Sequence, residues 1–187
     1  MDTMRDDDGV MGQVFGDNYK ELVESIRRNL DPSSNTVLIV DDEKGIRLKV
    51  ARDVLAFDPR LVIVEACNGQ EGLKKLQEVR KTYTRDPVFI VLDLNMPVMD
   101  GWQFIAMLKK EYEEQGKTSG IPIIVLSSTS GEKGALFMKK SIHDGHSGYT
   151  PLVGVAKETC VNAARYDAVG EKGLLAWLEH FVKLKVR

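Results

Sequence analysis

The chain has 187 residues, with 26 Lys and Arg against 28 Asp and Glu, and its formal charge of −2 gives no basic footprint for nucleic acid. At 43% hydrophobic it can bury the core of one domain carrying an appendage or an insertion. No apolar run approaches the ~20 residues that span a bilayer, and the acidic opening Met1–Asp8 lacks the apolar core of a secretory leader. Cys67 and Cys160 belong to no C-x-x-C pair and fit two reduced thiols in a cytoplasmic protein.

Residues 1–16 are rich in Asp, Gly and Met and are expected to be flexible. A helix is expected from Asn18, with Glu21 completing a capping-box pattern and Tyr19, Leu22, Val23, Ile26 and Leu30 on one face. That stripe either packs on the domain that follows or serves as a docking or homodimer helix. Asp31 to Asn35 ends it, so residues 1–35 form an extension and 36–187 the main domain.

Thr36 to Val40 has the length and composition of a strand buried on both faces, and it ends in Asp41-Asp42. A helix is expected from Gly45 to about Phe57, with Ile46, Val50, Val54 and Phe57 inward. Leu61 to Val64 is the next strand, and Asn68-Gly69 opens a helix carrying Leu73, Leu76 and Val79. Lys81 to Asp86 is a polar connector. Val88 to Leu92 is a third buried run and stops at a carboxylate, Asp93. Pro97 and Asp100-Gly101 mark a loop, and a helix from Trp102 carries Ile105 and Leu108. Glu111 to Gly120 is expected to be charged and exposed. Ile121 to Leu126 is the fourth strand and ends in Ser127. Beyond Ser130 a short helix is expected at 134–141, a Gly- and His-rich loop at 142–150, a helix at 153–165, a fifth strand at 167–169 and a closing helix at 173–185. Alternating strands and helices imply βαβ units around a parallel sheet with right-handed crossovers. Every polar strand end then falls on one rim, where open α/β sheets bind ligands.

Three carboxylates on that rim, Asp41, Asp42 and Asp93, repel one another unless a positive group is near. Hard oxygen ligands with open positions suit Mg²⁺, which keeps waters and binds phosphate. A carboxylate beside Mg²⁺ can attack a phosphoryl group and become an acyl phosphate. The transferring oxygens would further need a hydroxyl, which Ser127 can supply, and an ammonium from beyond the fourth strand.

Asp41-Asp42 after one buried strand, Asp93-Leu-Asn-Met-Pro-Val-Met-Asp-Gly101 after another, and Ile-Pro-Ile-Ile-Val-Leu-Ser127 resemble the receiver domain of two-component response regulators. Asn68-Gly-Gln-Glu-Gly-Leu73 resembles the start of that family's second helix. The resemblance covers about Thr36 to Leu184. It implies a flavodoxin-like, doubly wound five-stranded parallel sheet of order 2-1-3-4-5. It implies phosphorylation of Asp93 by a sensor histidine kinase or phosphotransfer protein, with output to a downstream protein target. Asp42, Asp93 and the backbone carbonyl of Asn95 would ligate Mg²⁺ directly, Asp41 would act through a water, and Ser127 stands at the family's switch Ser or Thr. Beyond its own phosphorylation and slow dephosphorylation, a receiver is a signalling protein rather than an enzyme.

Two departures stand out. The family's lysine after the fifth strand is normally followed by Pro, and no Lys-Pro occurs here. Lys172 is the favoured candidate, with Glu171 an alternative alignment and Lys133 a distant third. Second, the spacing from Ser127 to Lys172 implies an insertion at about 131–152, beside the family's signalling face. His143 and His146 lack a third ligand nearby and read as loop residues. A phosphohydrolase with an aspartyl nucleophile would want an acid where Asn95 stands. A receiver-like interaction module never phosphorylated in use is the remaining alternative. With no separate output module expected, output passes through protein contact or a phosphorelay.

Overall fold

The computed structural model describes residues 35–117, 120–127 and 152–157, and positions 174, 175 and 178. Five parallel strands form one sheet in the order β2-β1-β3-β4-β5: β1 Thr36–Val40, β2 Val62–Ala66, β3 Phe89–Asp93, β4 Ile123–Ser127 and β5 Leu152–Ala156. Every residue of β1 and β3 is buried, which is why these runs read as continuously apolar rather than alternating. Strand β2 lies at an edge and leaves Val62 exposed. The expected order 2-1-3-4-5 is the observed one.

Among the described residues three helices join the strands: α1 Lys44–Phe57, α2 Gly69–Tyr83 and α3 Gly101–Glu114. Successive strand residues point to opposite faces, so the sheet sorts its side chains into two cores. Val37, Ile39, Phe89 and Val91 meet Ile46, Val50 and Val54 of α1, together with Leu174 and Leu178. Leu38, Val40, Ile90 and Leu92 meet Leu76 of α2 and Phe104, Leu108 and Tyr112 of α3. Both cores are anchored on the same central strands, so the carboxyl ends of β1 and β3 are held on both sides.

Helix starts follow side-chain chemistry. Asn68 accepts the Glu71 amide at the head of α2. At α3, Asp100 accepts from the Gln103 amide and Gln103 accepts from the Asp100 amide, a capping box. Helix α2 ends on Thr84 in the left-handed region (φ 56°), a conformation unfavourable for a β-branched residue. Thr84→Gly is therefore expected to raise stability by about 0.5–1 kcal/mol in a urea titration; an unchanged or lower midpoint would contradict it.

The structure corrects three expectations. Helix α3 continues to Glu114 where a charged, exposed segment was expected from Glu111. The reason is Arg80 on α2, which bonds Asp86 at 2.6 Å, Glu111 at 2.7 Å and the buried Tyr112 hydroxyl at 3.4 Å, joining α2 to α3. Residues 153–156, expected in a helix, are strand β5, paired in parallel with β4 from Ile123↔Leu152 to Ser127↔Ala156. A short apolar run of this length does not separate strand from helix by periodicity, and pairing with β4 decides it. Residue Leu152, expected to close the insertion at 131–152, instead opens β5. The rest of that insertion, residues 1–34, and the expected strand at 167–169 lie outside the described residues.

Candidate functional site

Asp41 follows the last residue of β1, and Asp93 is the last residue of β3. The two strands are neighbours in register, so both carboxylates emerge at one end of the sheet. Ligand oxygens of Asp41, Asp42 and Asp93 all lie within 4.8 Å of one another. Asp41 and Asp93 are buried and Asp42 is exposed. Asp41 Oδ1 accepts the Glu43 amide at 2.8 Å, and Asp93 Oδ1 accepts the Asn95 amide at 3.2 Å.

The cation at the centre is Lys157, immediately after β5. Its Nζ donates to Asp93 Oδ2 at 2.9 Å and to Glu43 Oε1 at 3.0 Å. It also lies 3.0 Å from Asp41 Oδ2, an ion pair without a well-aligned hydrogen bond. Behind the acids stands Arg47, whose Nη1 donates to the carbonyls of Asp41 (2.7 Å) and Asp42 (3.3 Å) while its Nε pairs with Glu65 at 3.0 Å. Arg47 thus ties the acidic loop to β2.

Burial dominates the protonation of this cluster. It pushes the Asp41 carboxyl up to about 6, against the lowering effect of Lys157 and of the Glu43 amide. It pushes Asp93 up as well, again against Lys157. For Lys157, burial alone would lower the ammonium, but its bonds to Asp93 and Glu43 and its ion pair with Asp41 outweigh that and hold it above its ordinary value. One ammonium therefore stays charged among carboxylates that it does not fully compensate. The Asp41 Oδ2 atom, buried without an aligned donor, and the convergence of three carboxylates fit a hard divalent cation such as Mg²⁺.

The loop after β3 is shaped by close backbone contact. The Met99 amide bonds the Pro97 carbonyl at 2.8 Å across Val98, whose φ is 70°, making a positive-φ γ-turn. The Met99 carbonyl then accepts the Gly69 amide at 2.9 Å, and the Gly101 amide bonds the Leu94 carbonyl at 3.1 Å. A Cβ on Gly101 would sit 2.3 Å from the Asp93 carbonyl oxygen and 2.8 Å from Leu94 Cα. The start of α3 is thereby pressed against Asp93 and Leu94.

Of the residues singled out from sequence, Asp41, Asp42 and Asp93 are brought together. Asn95 is exposed, with its amide on Asp93. Ser127 ends β4, one residue past Leu126, the register partner of Asp93. Lys172, Glu171, Lys133, His143 and His146 lie outside the described residues, and the lysine that meets Asp93 here is Lys157. Lys157, Glu43 and Arg47 were missed. A signal for Lys157 was present: Val40-Asp41, Leu92-Asp93, Leu126-Ser127 and Ala156-Lys157 all end an apolar run on a polar residue at the rim.

A five-stranded parallel sheet with an acid cluster and a buried lysine at its carboxyl edge defines a class of aspartate-centred α/β modules. Residues 37–146 match the model of the response regulator receiver domain, over more than half of the chain. The chain is 35% identical over 116 residues to protein-glutamate methylesterase/protein-glutamine glutaminase 1 of Methanosarcina acetivorans, covering 60% of this chain and 28% of that protein. A protein of the same description from Caldanaerobacter subterraneus subsp. tengcongensis is 31% identical over 163 residues, covering 81% of this chain and 40% of that protein. The chain thus spans well under two thirds of those relatives. The fold is shared with the phosphorylated cyanobacterial phytochrome response regulator RcpA, with a TM-score of 0.54 at 19% identity, over 82% of this chain and 96% of that one. It is also shared with the bacteriophytochrome response regulator AtBRR, with a TM-score of 0.51 at 21% identity, over 73% and 90%. The chain belongs to the response regulator receiver domain family of two-component signalling. Among the described residues no helix is long and apolar enough to cross a membrane.

Proposed function

We propose that Asp93 accepts a phosphoryl group from a sensor histidine kinase or phosphotransfer protein, and that the phosphorylated domain presents an altered surface to a downstream protein target in the cytoplasm. The observation that carries this is the Asp93 carboxylate, buried at the sheet's carboxyl edge with the Lys157 ammonium at 2.9 Å. Asp42, Asp93 and the Asn95 carbonyl would hold Mg²⁺, with Asp41 acting through a water. When bound, the metal supplies positive charge beside the phosphoryl oxygens.

The chain's own residues account for the rest. Asp93 Oδ attacks phosphorus, the phosphorus–nitrogen bond of the donor histidine breaks, and the imidazole nitrogen keeps the electron pair. The Asn95 amide holds Asp93 Oδ1, which fixes the carboxylate plane. Lys157 stays charged and can turn a donor to the incoming group. Ser127, the last residue of the adjoining strand, would offer a hydroxyl. Because Lys157 closes β5, its shift toward a phosphoryl group would pull on that edge of the sheet, a route for biasing a two-state surface. Beyond its own phosphorylation and hydrolysis, we assign the domain no substrate turnover.

Intact mass after incubation with Mg²⁺ and acetyl phosphate tests this. A single phosphoryl adduct is expected on the wild type and none on Asp93→Asn; an adduct that persists in Asp93→Asn would contradict the assignment.

A further inference from the structure

Lys157 does not face only the two buried acids. One of its two aligned hydrogen bonds goes to Glu43 Oε1. Glu43 differs from Asp41 and Asp93 in three ways. Its side chain is 61% exposed, whereas theirs are buried. It occupies the N-cap of α1, where a side chain usually accepts an amide of the first turn, yet it makes no such bond. Its carboxylate instead turns to the lysine. Its backbone amide is committed to Asp41 Oδ1, so the side chain can swing away while the backbone keeps Asp41 in place.

We infer that Glu43 is a latch on Lys157 that sets the rate at which Asp93 accepts a phosphoryl group, an inference that rests on Asp93 being the acceptor. An ammonium has three N–H donors. Here two of them are committed, to Asp93 at 2.9 Å and to Glu43 at 3.0 Å, while Asp41 Oδ2 lies 3.0 Å away as an ion pair. With acetyl phosphate as donor, the bond from phosphorus to the acetate oxygen breaks, acetate leaves with the electron pair, and a phosphorus–oxygen bond forms to Asp93. The arriving phosphoryl oxygens are anionic and need a donor from Lys157. Of the three partners, the exposed Glu43 is the one whose pair is weakened by solvent and salt, so it is the partner that yields. Until it does, that donor is held by Glu43 rather than offered to the phosphoryl group. Glu43 also adds a fourth carboxylate where an anionic donor must approach, and like charge opposes that approach. Glu43 is thus a positioning residue that acts through Lys157.

The test compares phosphorylation rate constants for wild type, Glu43→Gln and Glu43→Ala with saturating Mg²⁺ and acetyl phosphate, followed by intact mass. Glu43→Gln keeps the length of the side chain and removes the charge. Both variants are expected to be phosphorylated about two- to fivefold faster than wild type, the factor that releasing one exposed ion pair supplies. Raising KCl at fixed Mg²⁺ is expected to shrink that ratio toward one, a readout that a merely structural role for Glu43 would not move. Equal or slower variants, beside a wild type that is phosphorylated at Asp93, overturn the latch and leave the acceptor assignment standing. A wild type that takes no phosphoryl group overturns the acceptor assignment and the latch together.

Discussion

Lys157→Met is expected to lose about 3–5 kcal/mol of stability at pH 8 without Mg²⁺, because it removes the cation from two buried carboxylates while keeping most of the side-chain volume. The loss should depend on pH in a definite direction. Burial already raises the Asp41 carboxyl from 3.8 to about 6 with Lys157 present. A carboxyl whose folded pKa lies above its unfolded one binds protons more tightly in the folded state. Its stabilising effect is present at low pH and is lost as pH rises through that window. For wild-type Asp41 this amounts to about 3 kcal/mol between pH ~4 and ~6. Without the lysine's lowering effect, Asp41 and Asp93 shift further upward and the window widens toward neutrality. The deficit of Lys157→Met relative to wild type should therefore be small at pH 5 and large at pH 8. Mg²⁺ at pH 8 should recover part of it by replacing the missing positive charge. Asp58, held low by Arg60, and Asp53, raised by burial, titrate alike in both proteins and cancel in the difference. Urea titrations at the two pH values, with and without Mg²⁺, measure this; a deficit insensitive to both would show that Lys157 is not the counter-ion of the cluster.

Gly101→Ala is the second large effect. Its Cβ would meet the Asp93 carbonyl oxygen at 2.3 Å and Leu94 Cα at 2.8 Å, both backbone atoms that no rotamer change can move aside. Overpacking of this kind costs about 1–3 kcal/mol and more where backbone must shift, so a loss near the top of that range is expected in a urea titration. The shift falls on Asp93, the proposed acceptor, and on the bond from the Gly101 amide to the Leu94 carbonyl. Phosphorylation by acetyl phosphate is therefore expected to slow even in the fraction that stays folded. Wild-type stability in Gly101→Ala would contradict the close packing described for this loop.

What the sequence discloses and what it hides have the same physical origin. Strands β1, β3 and β4 sit in the sheet interior, buried on both faces, so each is an unbroken apolar run whose end stands out as Asp41, Asp93 or Ser127. The acidic cluster is therefore legible in the sequence itself. Among the described residues strand β5 pairs with β4 alone; it contains Gly154 and is followed by Glu158-Thr-Cys-Val161, whose spacing suits a helix equally well. With no Lys-Pro to mark the strand's end, periodicity favoured a helix over 153–165, and Lys157 went unnoticed. The reach of α3 past Glu111 was hidden for another reason. It depends on Arg80, 31 residues earlier, and a long-range ion pair leaves no trace in local patterning. Glu43 and Arg47 were likewise invisible, because each gains its role from a partner brought in by the fold: Lys157 for one, Glu65 and the Asp41 carbonyl for the other.

The most direct measurement is where the phosphoryl group resides. An aspartyl phosphate is an acyl phosphate, and borohydride reduces it to the alcohol, leaving homoserine in place of aspartate. After Mg²⁺ and acetyl phosphate, reduction and tandem mass spectrometry of the peptide spanning residues 86–109 should place homoserine at position 93. Homoserine at position 41 or 42, or a phosphoryl group found on another residue with Asp93 intact, would contradict Asp93 as the acceptor.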